Sequence, residues 1–111
     1  MKHNLREESE FDVLSLSGEI DLHHSPALRE IILASLKGGR PLLIHMQEVS
    51  YIDSSGIASL VEGFQTARRT ELSYGLLDIS NAVMQVLTIT RLDGIFPLYE
   101  SEETFVESLS R

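Results

Sequence analysis

The segment Pro41-Leu42-Leu43-Ile44-His45-Met46 constrains the fold most, because it is a short, nearly unbroken apolar run. Such a run is the signature of a strand covered on both faces. After a connecting stretch, Asp53-Ser54 opens a helix. Its Ile57, Leu60, Val61, Phe64 and Ala67 or Arg68 recur at i, i+3, i+4 and i+7, which places them on one face. A covered strand followed by an amphipathic helix requires a layered structure.

The rest of the chain continues the alternation. Phe11 to Gly18 alternates apolar and polar residues for part of its length and predicts a strand. A weaker strand is predicted around Asn4 to Glu8, joined to it by a tight turn at Ser9-Glu10. Ser25-Pro26 signals a helix start, with serine able to cap free amides and proline tolerated at the first helical position. Leu28, Ile31, Ile32 and Leu36 share a face of that helix, and Gly38-Gly39 stops it. Tyr74 to Ile79 fits a strand. Asn81 to Thr90 fits a helix with Val83, Val86 and Leu87 inward. Phe96 to Tyr99 fits a short strand, and Ser101-Glu102-Glu103 starts a last helix carrying Phe105, Val106 and Leu109. The acidic first turn of that helix complements its dipole. The predicted fold is therefore one α/β domain over residues 1–111, with a mixed sheet of four to five strands and about four helices.

Composition narrows the function. The 111 residues suit a single core, and 42% hydrophobic content argues for a folded domain rather than a disordered chain. No apolar run approaches the roughly 20 residues of a membrane helix. Met1-Lys2-His3-Asn4 leads into charged residues, so neither a secretory leader nor membrane insertion is expected, and a cytoplasmic location is. Cysteine is absent, which excludes disulfides and thiolate metal sites. With 17 acidic against 9 basic residues, the net charge is −8, and Arg68-Arg69 is the only tight basic pair. Nucleic acid is not an expected partner. An acidic surface suits either plain solvation or a basic patch on another protein.

The chemistry concentrates in Asp53-Ser54-Ser55-Gly56. A helix beginning there leaves its first amides without internal partners, and these favour an anion. Serine at such a position is small, hydroxylated and open to a kinase. A phosphate would add about −1.5 to −2 charges, repelled by Asp53 and attracted by the helix start. Taken alone, the tetrapeptide is equally an ordinary cap with a permissive glycine.

The stretch from Val49 to Ile57 resembles the signature loop of STAS domains, the anti-sigma factor antagonists of bacteria. Three further regions resemble the same family in the same order. These are Ser17-Gly18-Glu19-Ile20-Asp21 with Ser25-Pro26, Val86-Leu87 through Leu92-Asp93-Gly94-Ile95-Phe96, and Leu98 to Glu103. The resemblance implies a binding module without catalytic activity or cofactor. Ser54 is then the phosphorylated residue. An anti-sigma factor serine kinase is the partner bound in the unphosphorylated state, and a serine phosphatase resets the switch. Asp21, Asp53, Ser55, Gly56 and Ile57 are expected to form the docking surface, with Ser59 and Glu62 as a rim on the exposed side of the helix. One departure is Arg69-Thr70-Glu71-Leu72, where the family often has a glycine pair. Gly75 falls inside a predicted strand instead, where a bend or bulge is expected. Free-standing members also resemble the small subunit of lipid-transporting ABC systems, which implies an alternative role as a structural partner of a permease and ATPase.

Other signals are weaker. Asp21, His23, His24 and Ser54 could suggest a hydrolase, but the Gly-x-Ser-x-Gly elbow is missing. Asp21-Leu22-His23-His24 does not have the spacing of a metal site, and the two histidines are expected to face solvent. No glycine-rich phosphate cradle supports nucleotide or lipid-fragment binding. His45 is expected to be a hydrogen-bonded core histidine, and Met46 and Met84 core filling.

Overall fold

The apolar run at Leu42 becomes the central strand of a five-stranded sheet. The computed structural model describes residues 1–109. In chain order these form β1 (Lys2–Glu7), β2 (Asp12–Ile20), α1 (Ser25–Lys37), β3 (Leu42–Ile52), α2 (Ser54–Arg69), β4 (Tyr74–Leu77), α3 (Asn81–Ile89), β5 (Leu98–Tyr99) and α4 (Glu102–Leu109). Strands lie side by side in sequence order. β1 runs antiparallel to β2, and each later neighbour is parallel. The mixed α/β sheet predicted from the alternation is the sheet observed.

Alternate residues of the central strands feed two apolar layers. Leu14, Leu42, Ile44, Tyr74 and Leu76 join Leu28, Ile32 and Leu36 of α1, Leu60 and Ala67 of α2 and Val83 and Leu87 of α3. The residues between them, Val13, Leu43 and Leu77, join Phe11 beneath Phe105 of α4. Phe105 is fully buried and meets Phe11 and Tyr99 at ring-centroid distances of 5.5 and 5.2 Å. Its neighbour Val106 is exposed rather than inward, as is Met84 on α3.

The stretch after Met46 is strand, not connector. β3 carries an extra residue relative to β2 twice, where Ser15 pairs with His45 but Ser17 with Glu48, and Gly18 with Val49 but Glu19 with Tyr51. Met46, Val49 and Ile52 are consequently buried at three-residue intervals, a spacing that hides a strand from a two-residue test. Gly18 adopts φ 83° at this irregularity, a conformation that suits glycine. The extension brings Ile20 and Ile52 side by side at one end of the sheet.

The bend expected at Gly75 is absent, because β3 and β4 pair without a shift from Leu42–Tyr74 to His45–Leu77. A Cβ on Gly75 would lie 2.3 Å from Cε2 of Tyr99, so glycine makes room for the ring. β4 ends before Ile79, since Asp78 turns to φ 53°. His45 is half-buried, not a core residue. Its Nε2 lies 3.7 Å from an Asp78 carboxylate oxygen and forms no hydrogen bond among the described residues. Ser25 is not the cap of α1. His24 occupies that position, while Ser25 is buried and donates its hydroxyl to the Leu22 carbonyl at 3.4 Å.

At the end of α2, where the resemblance led to an expected glycine pair, a non-glycine residue is strained. Glu71 holds φ 59°, a left-handed conformation that costs a non-glycine residue roughly 1–2 kcal/mol. Glu71→Gly is expected to raise stability by about 0.5–1 kcal/mol, after glycine's own entropic cost is subtracted. Urea denaturation measures this, and an unchanged or lower midpoint contradicts it.

Candidate functional site

The ends of β2 and β3 position the site. The Asp53 N–H donates to the Ile20 carbonyl at 3.1 Å, tying the start of α2 to the exit of β2. Asp53, in extended conformation, caps the helix. Its Oδ1 accepts from the Ser55 N–H at 3.0 Å, the Gly56 N–H at 3.2 Å and the Ser55 hydroxyl at 2.6 Å. Aspartate is thus the cap, and Ser54 is the first helical residue. The amides of Ser55 and Gly56 are already satisfied by a carboxylate, so the attraction expected between the helix start and an added phosphate is largely neutralised in advance.

Ser54 faces outward because its neighbours face inward. Ile57 is 4% exposed and Gly56 is buried. A Cβ on Gly56 would lie 2.7 Å from Ile52 Cγ1 and 2.9 Å from Ile20 Cγ2, so the helix start rests directly on the two strand ends. Ser54 is exposed, and its hydroxyl makes no hydrogen bond among the described residues. Gly56→Ala is expected to push α2 away from the strands, costing about 1–3 kcal/mol of stability. Thermal denaturation, with NMR shifts at Ser54, measures it; wild-type shifts and midpoint would contradict the close packing.

The structure brings Asp21 to the same corner. Its Oδ1 accepts from the N–H groups of His23 at 3.0 Å and His24 at 3.3 Å, doing the capping work expected of Ser25. His24 Nδ1 also lies 2.9 Å from Asp21 Oδ1, and its Nε2 lies 3.4 Å from the Met1 amine, so both ring nitrogens face partners other than Ser54. His23 is exposed and His24 half-buried.

Three expected contributors sit beneath the surface. Gly56 and Ile57 support the loop from below. Ser59 does not lie on the exposed side of α2. It is 6% exposed, and its hydroxyl is within reach of the carbonyls of Ser25 at 3.1 Å and Ser55 at 3.3 Å. One helical turn beyond Ser55 points it at α1, a direction that spacing from Asp53 alone did not reveal. Glu62 is on the surface but engaged, accepting from Arg29 Nη2 of α1 at 2.9 Å. Two exposed apolar residues escaped the sequence reading, Leu22 at 72% and Tyr51 at 49%. The available signal was an apolar residue beside each acidic or hydroxyl position of an otherwise polar corner.

The electrostatics are acidic. The Ser55 hydroxyl, helped by the Gly56, Ser55 and Leu22 amides and opposed by desolvation, holds Asp53 below the usual carboxylate range. Desolvation pushes Asp21 up, but the His23 amide and His24 outweigh it and leave Asp21 lowered as well. Both folded values lie below the unfolded ones. Their stabilisation is therefore complete above the ordinary carboxylate range and is lost as pH falls through the lowered values. The melting temperature of Asp53→Asn should accordingly converge with that of the wild type in acid, and a gap that widens on acidification would contradict this.

A mixed sheet with an exposed serine at the start of α2, capped by aspartate beside the exit of β2, is the arrangement of one class of small α/β domain. The chain belongs to the STAS domain family, whose model matches residues 3–105. It is 30% identical over 94 residues to the anti-sigma-B factor antagonist of Bacillus subtilis, covering 85% of this chain and 86% of the relative. The corresponding protein of Listeria monocytogenes is 31% identical over 88 residues, with 78% and 77% coverage. Among solved structures, an anti-sigma factor antagonist from Mycobacterium paratuberculosis superposes with a TM-score of 0.82. It is 25% identical, and the match covers 99% of this chain and 94% of that one.

Proposed function

We propose that this chain is an anti-sigma factor antagonist switched by phosphorylation of Ser54. In the unphosphorylated state it binds an anti-sigma factor that is also an ATP-dependent serine kinase, and so frees a sigma factor. Exposed Leu22, whose amide bonds to Asp53, supplies apolar contact at this corner, with Asp21 and Asp53 as the acidic edge. In the transfer step the Ser54 oxygen attacks the γ-phosphorus of ATP held by the partner. ADP leaves with the cleaved bond's electrons, and the serine proton passes to a base of the kinase. The product carries a phosphate of about −1.5 to −2 charges beside the carboxylate of Asp53, at the centre of the contact. A phosphatase restores the hydroxyl by hydrolysis.

The observation that carries this reading is the exposed Ser54 hydroxyl, whose neighbours' amides are already occupied by Asp53. Phosphorylation then changes the surface without disturbing a bond the fold depends on. Incubation with the source cell's anti-sigma kinase and ATP, followed by peptide mass spectrometry, tests the assignment. Phosphate is expected on Ser54 and absent from Ser54→Ala. Phosphate elsewhere, or undiminished in Ser54→Ala, would overturn it. Copurification with a transporter permease and ATPase would support the constitutive structural role instead.

A further inference from the structure

The antiparallel edge of the sheet carries a second contact surface. All six residues of β1, Lys2 to Glu7, are exposed, and among the described residues β1 has a single sheet neighbour. The Glu8 N–H donates to the Phe11 carbonyl at 2.8 Å, on the same register that opposes Arg6 with Val13 and Asn4 with Ser15. Even-numbered residues therefore turn their main-chain groups toward β2. His3, Leu5 and Glu7 turn theirs outward, unpaired within the sheet. Such an edge accepts another strand unless its side chains forbid it.

The side chains select a particular strand. In an antiparallel pair, opposed residues share a face, so a second copy of β1 can add symmetrically about Asn4, Leu5 or Arg6. Centring on Asn4 sets Lys2 against the second copy's Arg6. Centring on Arg6 sets two arginines against each other. Centring on Leu5 sets Lys2 against the second copy's Glu8, His3 against Glu7, Asn4 against Arg6 and Leu5 against Leu5. Only this last register opposes unlike charges, and it places the outward main-chain groups in about six hydrogen bonds. Leu5 is 39% exposed. It lines a cavity of about 430 Å³ between β1 and α1, together with Ile31 and Ala34, so each copy brings an apolar floor to the symmetry axis.

We propose that two copies of this chain associate through β1 in the Leu5-centred register, forming one continuous ten-stranded sheet. The edge lies two strands away from β3, whose end leads into Ser54, so β1 itself contributes no residue to the switch loop. A net charge of −8 on each copy opposes association at long range, which makes the dimer weak and favoured by moderate salt.

Sedimentation velocity over micromolar to millimolar concentrations tests this. A monomer–dimer equilibrium is expected in the wild type. Glu7→Lys with Glu8→Lys sets like charges opposite each other and should weaken it by about tenfold or more. Adding Lys2→Glu and His3→Glu restores unlike charges in every affected pair and should recover most of the affinity. Circular dichroism of the exposed-residue variants confirms that they are folded. A wild type monomeric at every concentration, a dimer indifferent to the reversal, or failure of the compensating changes would each overturn the proposal.

Discussion

Ser54→Glu is expected to weaken association with the cognate anti-sigma factor by about a hundredfold or more, while Ser54→Ala binds nearly as well as wild type. A hydroxyl without an intramolecular partner can be removed with little cost to the fold. A fixed negative charge is different. The amides nearest it already bond to the Asp53 carboxylate, and Asp21 at the same corner is held ionised by the His23 amide and His24. Among the described residues, little at the helix start is left to offset the new charge, so it must be buried against the partner or exclude the partner. Unpaired interfacial charges typically cost about 2–5 kcal/mol, which corresponds to a factor of thirty to several thousand. Isothermal titration calorimetry on both variants gives the comparison. A glutamate variant within threefold of wild type would contradict it.

The largest loss of stability is expected from Asp12→Ala, at the opposite end of β2. The Asp12 carboxylate is 2% exposed and accepts from Ser35 Oγ and Arg40 Nε, both at 2.7 Å. Arg40 Nη2 also donates to the carbonyls of Phe11, at 3.0 Å, and Glu8, so one guanidinium clasps the β1–β2 turn to the loop after α1. Removing the carboxylate ends two charge-assisted hydrogen bonds, one from the buried Ser35 hydroxyl and one from a guanidinium that is itself 31% exposed. At roughly 1.5–3 kcal/mol apiece, the loss is about 3–5 kcal/mol. For a domain of this size, that lowers the melting temperature by more than about 10 °C. A single variant within about 1 kcal/mol of wild type, by urea denaturation, would show that the clasp is not structural.

The strand and helix order was legible because period and punctuation agreed: a covered apolar run, amphipathic spacing from Ile57 onward, and glycines after Lys37. Less legible was the length of β3. Its last six residues pair through two irregularities that move burial onto a three-residue spacing. The capping roles were misassigned for a related reason. Serine, aspartate and histidine can all end a helix, and only the backbone bonds between Asp21 and the residues after it show where winding starts. At the site, the helix start, Asp53 and the open position of Ser54 followed from the motif. The inward turn of Ser59 and the exposure of Leu22 and Tyr51 depend on how α2 leans on α1 and on the two strand ends, contacts between segments far apart in the chain.

Titration of the cognate anti-sigma factor with this protein, before and after stoichiometric phosphorylation at Ser54, is the most direct trial of the switch. Saturable binding that disappears on phosphorylation, and returns on phosphatase treatment, is the predicted result. Equal affinity for the two forms would contradict it.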